Sequence, residues 1–253
     1  FKGHVFHTSR WDFDYTKGDT RGNLTGLNDK RVGIIGTGPT ALQCIPHLGA
    51  DSKELFVFQR TPSAIDVRGN HPTNPRWVDS LQPGWQARRM ENFNIITNGG
   101  YQEEDLVNDG WTDLFRGLIG AEGKSEEQKN MTAEEKDAIK EIAHFQKMEE
   151  VRARVDAIVV DKDTAENLKA YYRPFCKRPC FHDDYLKTFN RPNVTLVDTD
   201  GKGVEVITEK GVVIAGVEYE LDCLIVATGF ETGEGFTSAS GFEINGRDGS
   251  KLS

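Results

Sequence analysis

Apolar residues in this chain come in short, dense runs, and the spacing inside each run predicts its conformation. Val32, Ile34 and Ile35 make a short apolar strand that meets small residues at Gly36, Gly38 and Ala41 and then runs into a segment of helical character. Residues 54–59 (E-L-F-V-F-Q) are apolar enough for a central strand of a parallel sheet. Before them, residues 14–29 are rich in Gly, Thr, Asn and Asp and predict a loop leading into the first strand. Residues 62–84 hold four prolines and no clear period, which predicts a long ordered loop anchored by Trp77 and, just beyond it, Trp85. A turn is expected at 98–100 and a short helix facing a cleft at 111–119. The clearest helical pattern covers 131–160: Thr132 and Glu135 have capping-box spacing, and Ile139, Ile142, Val151 and Val155 recur at helical intervals. The charged run 122–137 reads as solvated. Strands return at 194–197, then as a hairpin of 204–208 and 212–214 around Glu209-Lys210-Gly211, continued by 219–221. A buried strand, 224–229, ends in small residues that admit a ligand or another backbone. The fold class is therefore α/β and Rossmann-like, interrupted by a helical insertion or cap.

Bulk properties narrow the function. A chain of 253 residues can bury a substantial core, as one large or two modest domains. The net charge of −9 argues against a general nucleic-acid surface, so local basic sites matter more than the total. Cys44, Cys176, Cys180 and Cys223 show no zinc-type pairing with histidines, and a reduced, cytoplasmic setting is expected. His4 and His7 have no acidic or cysteine partner nearby to complete a metal set, so no metal is expected. No signal peptide or apolar run of membrane length is visible, and no membrane partner is expected. The chain lacks an initiator Met and both ends are abrupt. An internal piece is expected, with the remainder of the same polypeptide as its partner.

Chemistry enters at Gly36-Thr37-Gly38-Pro39-Thr40-Ala41. Gly36 permits a tight turn, Gly38 lets backbone approach a phosphate, and Ala41 is small enough for close helix–strand packing; the helix start supplies N–H donors and a positive dipole end. A bare G-x-G-x-x-A is a weak signal, so the end of the next strand decides. An NAD-specific unit places Asp or Glu there to hold the ribose 2′-hydroxyl, whereas this chain reads Gln59-Arg60-Thr61-Pro62. An acid would repel a 2′-phosphate and Arg60 offers it a rigid fork of donors, which predicts NADP rather than NAD.

A second basic site follows the helical region, at Cys176-Lys177-Arg178-Pro179. Prolines restrict the backbone around the two cations. Lys177 could reach the phosphate that Arg60 meets, and Arg178 could point towards an anion developing at a reacting centre. The plainer reading is a basic loop paired with Asp183 and Asp184, or with Asp183 capping a helix that begins near Tyr185.

Three stretches together resemble the Baeyer–Villiger monooxygenases, flavoproteins with two dinucleotide-binding domains. Phe1-x-Gly3-x-x-x-His7-x-x-x-Trp11-Asp12 resembles the family fingerprint F-x-G-x-x-x-H-x-x-x-W-[PD]; Gly36-x-Gly38-x-x-Ala41 matches the second dinucleotide motif, where many members have Gly at the last position; and 176–179, 189–194 and Ala227-Thr228-Gly229-Phe230 resemble later segments. The resemblance implies FAD and NADP as cofactors, with molecular oxygen and a ketone, bulky and cyclic or aryl, as substrates. It implies oxidation of that ketone to an ester or lactone through a C4a-peroxyflavin stabilised by Arg178. Lys177 and Arg60, with Thr61 adjacent, would meet the 2′-phosphate, while Gly3, His7 and Trp11 would couple domains. It further implies a linker from the FAD domain at 1–28, an NADP domain at 29–110 and 171–222, a helical insertion at 111–170, and a return to the FAD domain over 223–253. The family's earlier glycine motif for FAD is not in this sequence, so the chain by itself is expected to bind NADPH without oxygenating anything. A flavin N- or S-monooxygenase shares most of this architecture, and a disulfide reductase would need a redox cysteine pair that is not evident.

Overall fold

The structure is a computed structural model that describes residues 1–118, 131–230, 235, 237 and 240–251. In chain order the elements are β1 (His4–His7), α1 (Phe13–Thr16), β2 (Arg31–Ile35), α2 (Pro39–Asp51), β3 (Glu54–Gln59), β4 (Ile65–Asp66), α3 (Pro75–Ser80), α4 (Trp85–Thr97) and α5 (Gly110–Leu118). There follow α6 (Ala133–Ile158), α7 (Lys162–Asn167), β5 (Cys180–Phe181), α8 (Tyr185–Thr188), β6 (Val194–Asp198), β7 (Val206–Ile207), β8 (Gly211–Ile214), β9 (Val217–Glu220) and β10 (Cys223–Val226).

Five strands form an all-parallel sheet in the order β1-β10-β2-β3-β6. Helix α2 connects β2 to β3, the chain moves outward to β6, and β10 returns on the opposite side of β2. The crevice beyond the carboxyl ends of β2 and β10 is therefore the switch point of the sheet, where ligands of open α/β sheets bind.

Period-two alternation sorts the strand residues between two cores. Val32, Ile34, Leu55, Val57, Cys223 and Ile225 face the apolar side of α2, which buries Leu42, Ile45 and Leu48. Ile35, Phe56, Phe58, Val197 and Leu224 face the other way, onto Val212, Ile214, Leu221 and Tyr219 of the antiparallel β7-β8-β9 meander. Gly33 lies on that second face, where a Cβ would come within 2.6 Å of the Leu221 side chain. The sheet is thus sandwiched between helix and meander, and its buried faces explain the near-continuous apolar strands.

Helix α6 carries the expected capping box between Thr132 and Glu135. Its buried residues, Met148, Val151 and Val155, lie in the C-terminal half, whereas Ile142 in the N-terminal half is exposed. Lys147 reaches Asp66 of β4 at 2.8 Å and Asp113 of α5 at 3.4 Å. Arg154 donates to the carbonyls of Ile65 and His182, both at 2.9 Å, and burial pulls its pKa down. Those two side chains brace the β4–β5 pair against the helix.

Four local expectations change. The opening segment, expected only as part of a linker, also supplies an edge strand of the main sheet, where β1 finds β10 as a parallel partner. Residues 62–84 are not irregular throughout, since they contain β4 and α3. Asp183 does not cap α8: its carboxylate accepts from the backbone N–H groups of Arg68, Gly69 and Asn70, and His182 Nδ1 accepts from those of Asp184 and Tyr185. His4 does have an acidic partner, Asp12, at 2.9 Å, although among the described residues no group of three His, Cys, Asp or Glu could hold a metal. The charged run 122–130 lies outside the described residues.

Candidate functional site

At the end of β2, Gly36 adopts φ 112°, and a Cβ there would lie 2.5 Å from the Ala227 carbonyl oxygen. Only glycine lets the turn pass against the end of β10 in this way. Gly38 differs, since its φ of −77° suits any residue and a Cβ on it would meet nothing within 4 Å. Nothing in the protein demands glycine there, and the space beside it is open. Gly38 is also the N-cap of α2 and offers no side-chain cap, and Pro39 follows at the first turn. The remaining N–H groups of that turn are left for a ligand at the positive end of the helix. Ala41 is fully buried against the sheet.

Thr37 Oγ1 donates to the Thr61 carbonyl at 3.1 Å, and Ser63 Oγ donates to the Thr37 carbonyl at 2.8 Å, so the glycine turn is tied to the strap that follows β3. That strap is in turn tied to the second basic segment. β4 pairs with β5 in a ladder of two residues, Ile65 with Cys180 and Asp66 with Phe181, extended by Cys180 N to Ala64 O at 3.2 Å. This ladder holds 60–64 beside 177–179 across a gap of more than a hundred residues. A two-residue strand has no periodicity to read, and sequence reasoning missed it.

The result is a cavity of about 850 Å³ lined by residues 36–40, Arg60, Thr61, Lys177, Arg178 and 227–229. Lys177 Nζ donates to Thr61 Oγ1 and lies 3.4 Å from the Pro62 carbonyl. Burial, and then the nearby Arg60 charge, pull the Lys177 pKa down. The two cations thus line one cavity wall and act on each other with the same sign. The two acids that might have neutralised the loop are engaged elsewhere: Asp183 on the 68–70 backbone and Asp184 on Lys187 at 3.0 Å. Among the described residues Arg60, Lys177 and Arg178 have no carboxylate partner, and this in a chain of net charge −9.

Gln59, where a ribose-binding acid would stand, is fully buried and turned inward. Its Nε2 donates to Asp198 Oδ2 and the Asn167 carbonyl, both at 2.7 Å, and its carbonyl accepts from Thr199 Oγ1 at 2.9 Å. The 199–203 loop that Gln59 secures passes beside the Arg60 side chain, 3.9 Å from a Cβ placed on Gly203. This loop also lines the cavity. Its T-D-G-K-G sequence is a turn signal that sequence reasoning left unused.

Of the fingerprint residues, His7 touches the site's margin: Nε2 is 3.3 Å from the Gly229 carbonyl and the ring meets Phe230 edge-on at 5.4 Å. Trp11 donates from Nε1 to Thr16 at 3.0 Å and packs edge-on against Phe6 at 5.2 Å, away from the cavity. Gly3 is required by local crowding, since a Cβ there would sit 2.8 Å from the Asp222 carbonyl. All four cysteines are free, and burial raises the thiols of Cys44 and Cys180 to about 11 and that of Cys223 to about 12. Those three are poor nucleophiles. Among the described residues no helix is long and apolar enough to cross a membrane.

No family model matches the chain. It is 58% identical over 257 residues to neopentalenolactone D synthase of Streptomyces avermitilis, covering 100% of this chain and 43% of that protein. It is 53% identical over 249 residues to Baeyer-Villiger monooxygenase ATR8 of Stachybotrys chlorohalonatus, covering 98% of this chain and 40% of that protein. Among solved structures, polycyclic ketone monooxygenase from Thermothelomyces thermophila superimposes with a TM-score of 0.84 at 43% identity, over 100% of this chain and 42% of that one. OTEMO in complex with FAD and NADP gives a TM-score of 0.69 at 28% identity, over 100% of this chain and 47% of that one. The chain thus spans less than half the length of each of these proteins.

Proposed function

Because the chain is homologous over its whole length to Baeyer–Villiger monooxygenases, we propose that it is the part of such an enzyme that binds NADPH. The observation that carries the proposal is the cavity at the sheet switch point, where a glycine turn and the start of α2 face two uncompensated cations, Arg60 and Lys177. The pyrophosphate would lie on the backbone of 36–41, and the 2′-phosphate between the Arg60 guanidinium and the Lys177 ammonium. Thr61 and the 227–229 turn form the adjoining walls.

Among the described residues there is a single glycine-rich strand–turn–helix of this kind, so the chain's own atoms seat one dinucleotide. The whole protein would hold FAD as well, and would convert a ketone, O₂, NADPH and a proton into an ester or lactone, water and NADP⁺. The substrate is proposed to be a bulky cyclic or aryl ketone. NADPH supplies the hydride and FAD the means of activating oxygen; protein groups place them and adjust local charge. Arg178, on the same cavity wall, would stabilise negative charge that develops on oxygen near the flavin. His7, bonded to the Gly229 carbonyl, would couple the sheet edge to the segment leading out of the site, while Gly3 and Trp11 keep that edge in shape.

Steady-state kinetics of the full-length protein test the nucleotide assignment. Arg60→Ala and Lys177→Ala each remove a charge-assisted contact worth about 1.5–3 kcal/mol, so each is expected to raise the KM for NADPH by about 10- to 150-fold. KM for NADH, which lacks the phosphate, should be nearly unaffected. Equal losses with both nucleotides would contradict the assignment.

A further inference from the structure

Lys177 stands against an aromatic ring. Its ammonium lies 5.2 Å from the centre of the Tyr172 ring, and the Tyr172 hydroxyl accepts a hydrogen bond from the Ala64 N–H at 2.8 Å. The same side chain therefore touches the cation and the strap on which that cation rests. An ammonium has three N–H donors. Two are directed at Thr61 Oγ1 and the Pro62 carbonyl, which leaves one for the cavity. A lysine on a flexible stem would otherwise have to be ordered when an anion arrives, because its rotamer freedom is large.

We propose that Tyr172 is a positioning residue for discrimination between phosphorylated and unphosphorylated dinucleotides, acting through Lys177. The face of its ring holds the ammonium at the cavity wall by a cation–π contact. The strap is linked onward to the glycine turn by Thr37 Oγ1 on the Thr61 carbonyl. Tyr172 is half-buried, and burial raises its pKa, so the ring remains a neutral phenol beside the cation. This rests on the reading that Lys177 meets the 2′-phosphate.

NADP⁺ and NAD⁺ are titrated calorimetrically into the full-length protein and its variants Y172F, Y172M, K177A and Y172M/K177A. Y172F retains the ring and is expected to bind both nucleotides within about twofold of the unaltered chain. Y172M lacks the ring face and is expected to weaken NADP⁺ by about 3- to 10-fold while leaving NAD⁺ within about twofold. In the K177A background the Y172M change should no longer alter the ratio of the two affinities, because the residue through which it acts is gone. Should Y172M fold poorly, phenylalanines of increasing fluorination at position 172, close in shape to Y172F, reduce the ring's attraction for a cation stepwise and should reduce the NADP⁺ preference in step. The proposal is overturned if Y172M lowers both affinities alike, if fluorination leaves the preference flat, or if Y172M still changes the ratio without Lys177. If K177A itself leaves the ratio unchanged, the 2′-phosphate reading fails and takes this proposal with it. A K177A loss with no Y172M effect removes this proposal alone.

Discussion

In the full-length protein, Arg178→Ala is expected to lower ester formation by about a hundredfold or more, the usual effect of deleting one donor aimed at developing negative charge. Flavin content and the preference for NADPH are expected to survive. The separation follows from the geometry, since Lys177 is engaged with Thr61 and Pro62 while the Arg178 side chain has no carboxylate partner among the described residues. Arg178 is also the residue before Pro179, which biases its backbone to extended conformations and fixes where the side chain starts. Arg178→Lys retains the charge but not the planar fork, so it should recover only part of the activity. Ester yield per NADPH consumed is the measurement. Normal ester production by Arg178→Ala would remove the residue from the reaction.

Gly38→Val is expected to cost about a hundredfold or more in NADP⁺ affinity, the equivalent of one or two charge-assisted contacts to the pyrophosphate. Stability should fall by no more than about 1 kcal/mol, the cost of a poorer N-cap residue on α2. The conformation at Gly38 is ordinary and a Cβ there meets nothing within 4 Å, so the valine side chain extends into the open space proposed for the ligand. Gly36→Ala makes the contrast. With φ at 112° and the Ala227 oxygen 2.5 Å from the new methyl, it should lower thermal stability with or without nucleotide. Thermal unfolding and calorimetric titration of both variants decide the matter. A Gly38→Val protein that still binds NADP⁺ normally would mean that the phosphates do not lie on this turn.

The elements that local pattern could reveal are the ones where one face or both faces of a segment are buried continuously. Strand β3 is fully apolar between Glu54 and Gln59 because each of its faces meets a core, and the capping box of α6 announces that helix from Thr132. Helix α4 gave no comparable signal: W-Q-A-R-R-M-E-N-F-N-I-I-T buries only Asn92 and Ile96, and Asn92 is held through Glu104 and Leu106 of the following loop rather than by an apolar stripe. The strand order could not be read either, since β1 and β2 are separated by β10 from the far end of the sequence. At the site, glycines and cations were legible as residue types because each answers a chemical requirement of a phosphate. Their assembly was not, because it depends on the two-residue β4–β5 ladder, on Lys147 and Arg154 bracing it from α6, and on Gln59 turning inward to hold 199–203. Asp183 shows the same limit. Its spacing suits a helix cap, yet three backbone N–H groups of 68–70 compete for it and win.

Arg60 and Lys177 are expected to enclose a phosphate monoester between them. Phosphorus NMR of NADP⁺ bound to the protein reads that group directly, since its second ionisation lies near pH 6, at about the value of other phosphate monoesters. Two cations within contact distance favour the dianion, so the bound 2′-phosphate resonance should titrate well below that value, and Arg60→Ala or Lys177→Ala should each return it part of the way. A bound 2′-phosphate that titrates as it does in free NADP⁺, in the unaltered protein and in both variants, would contradict the account.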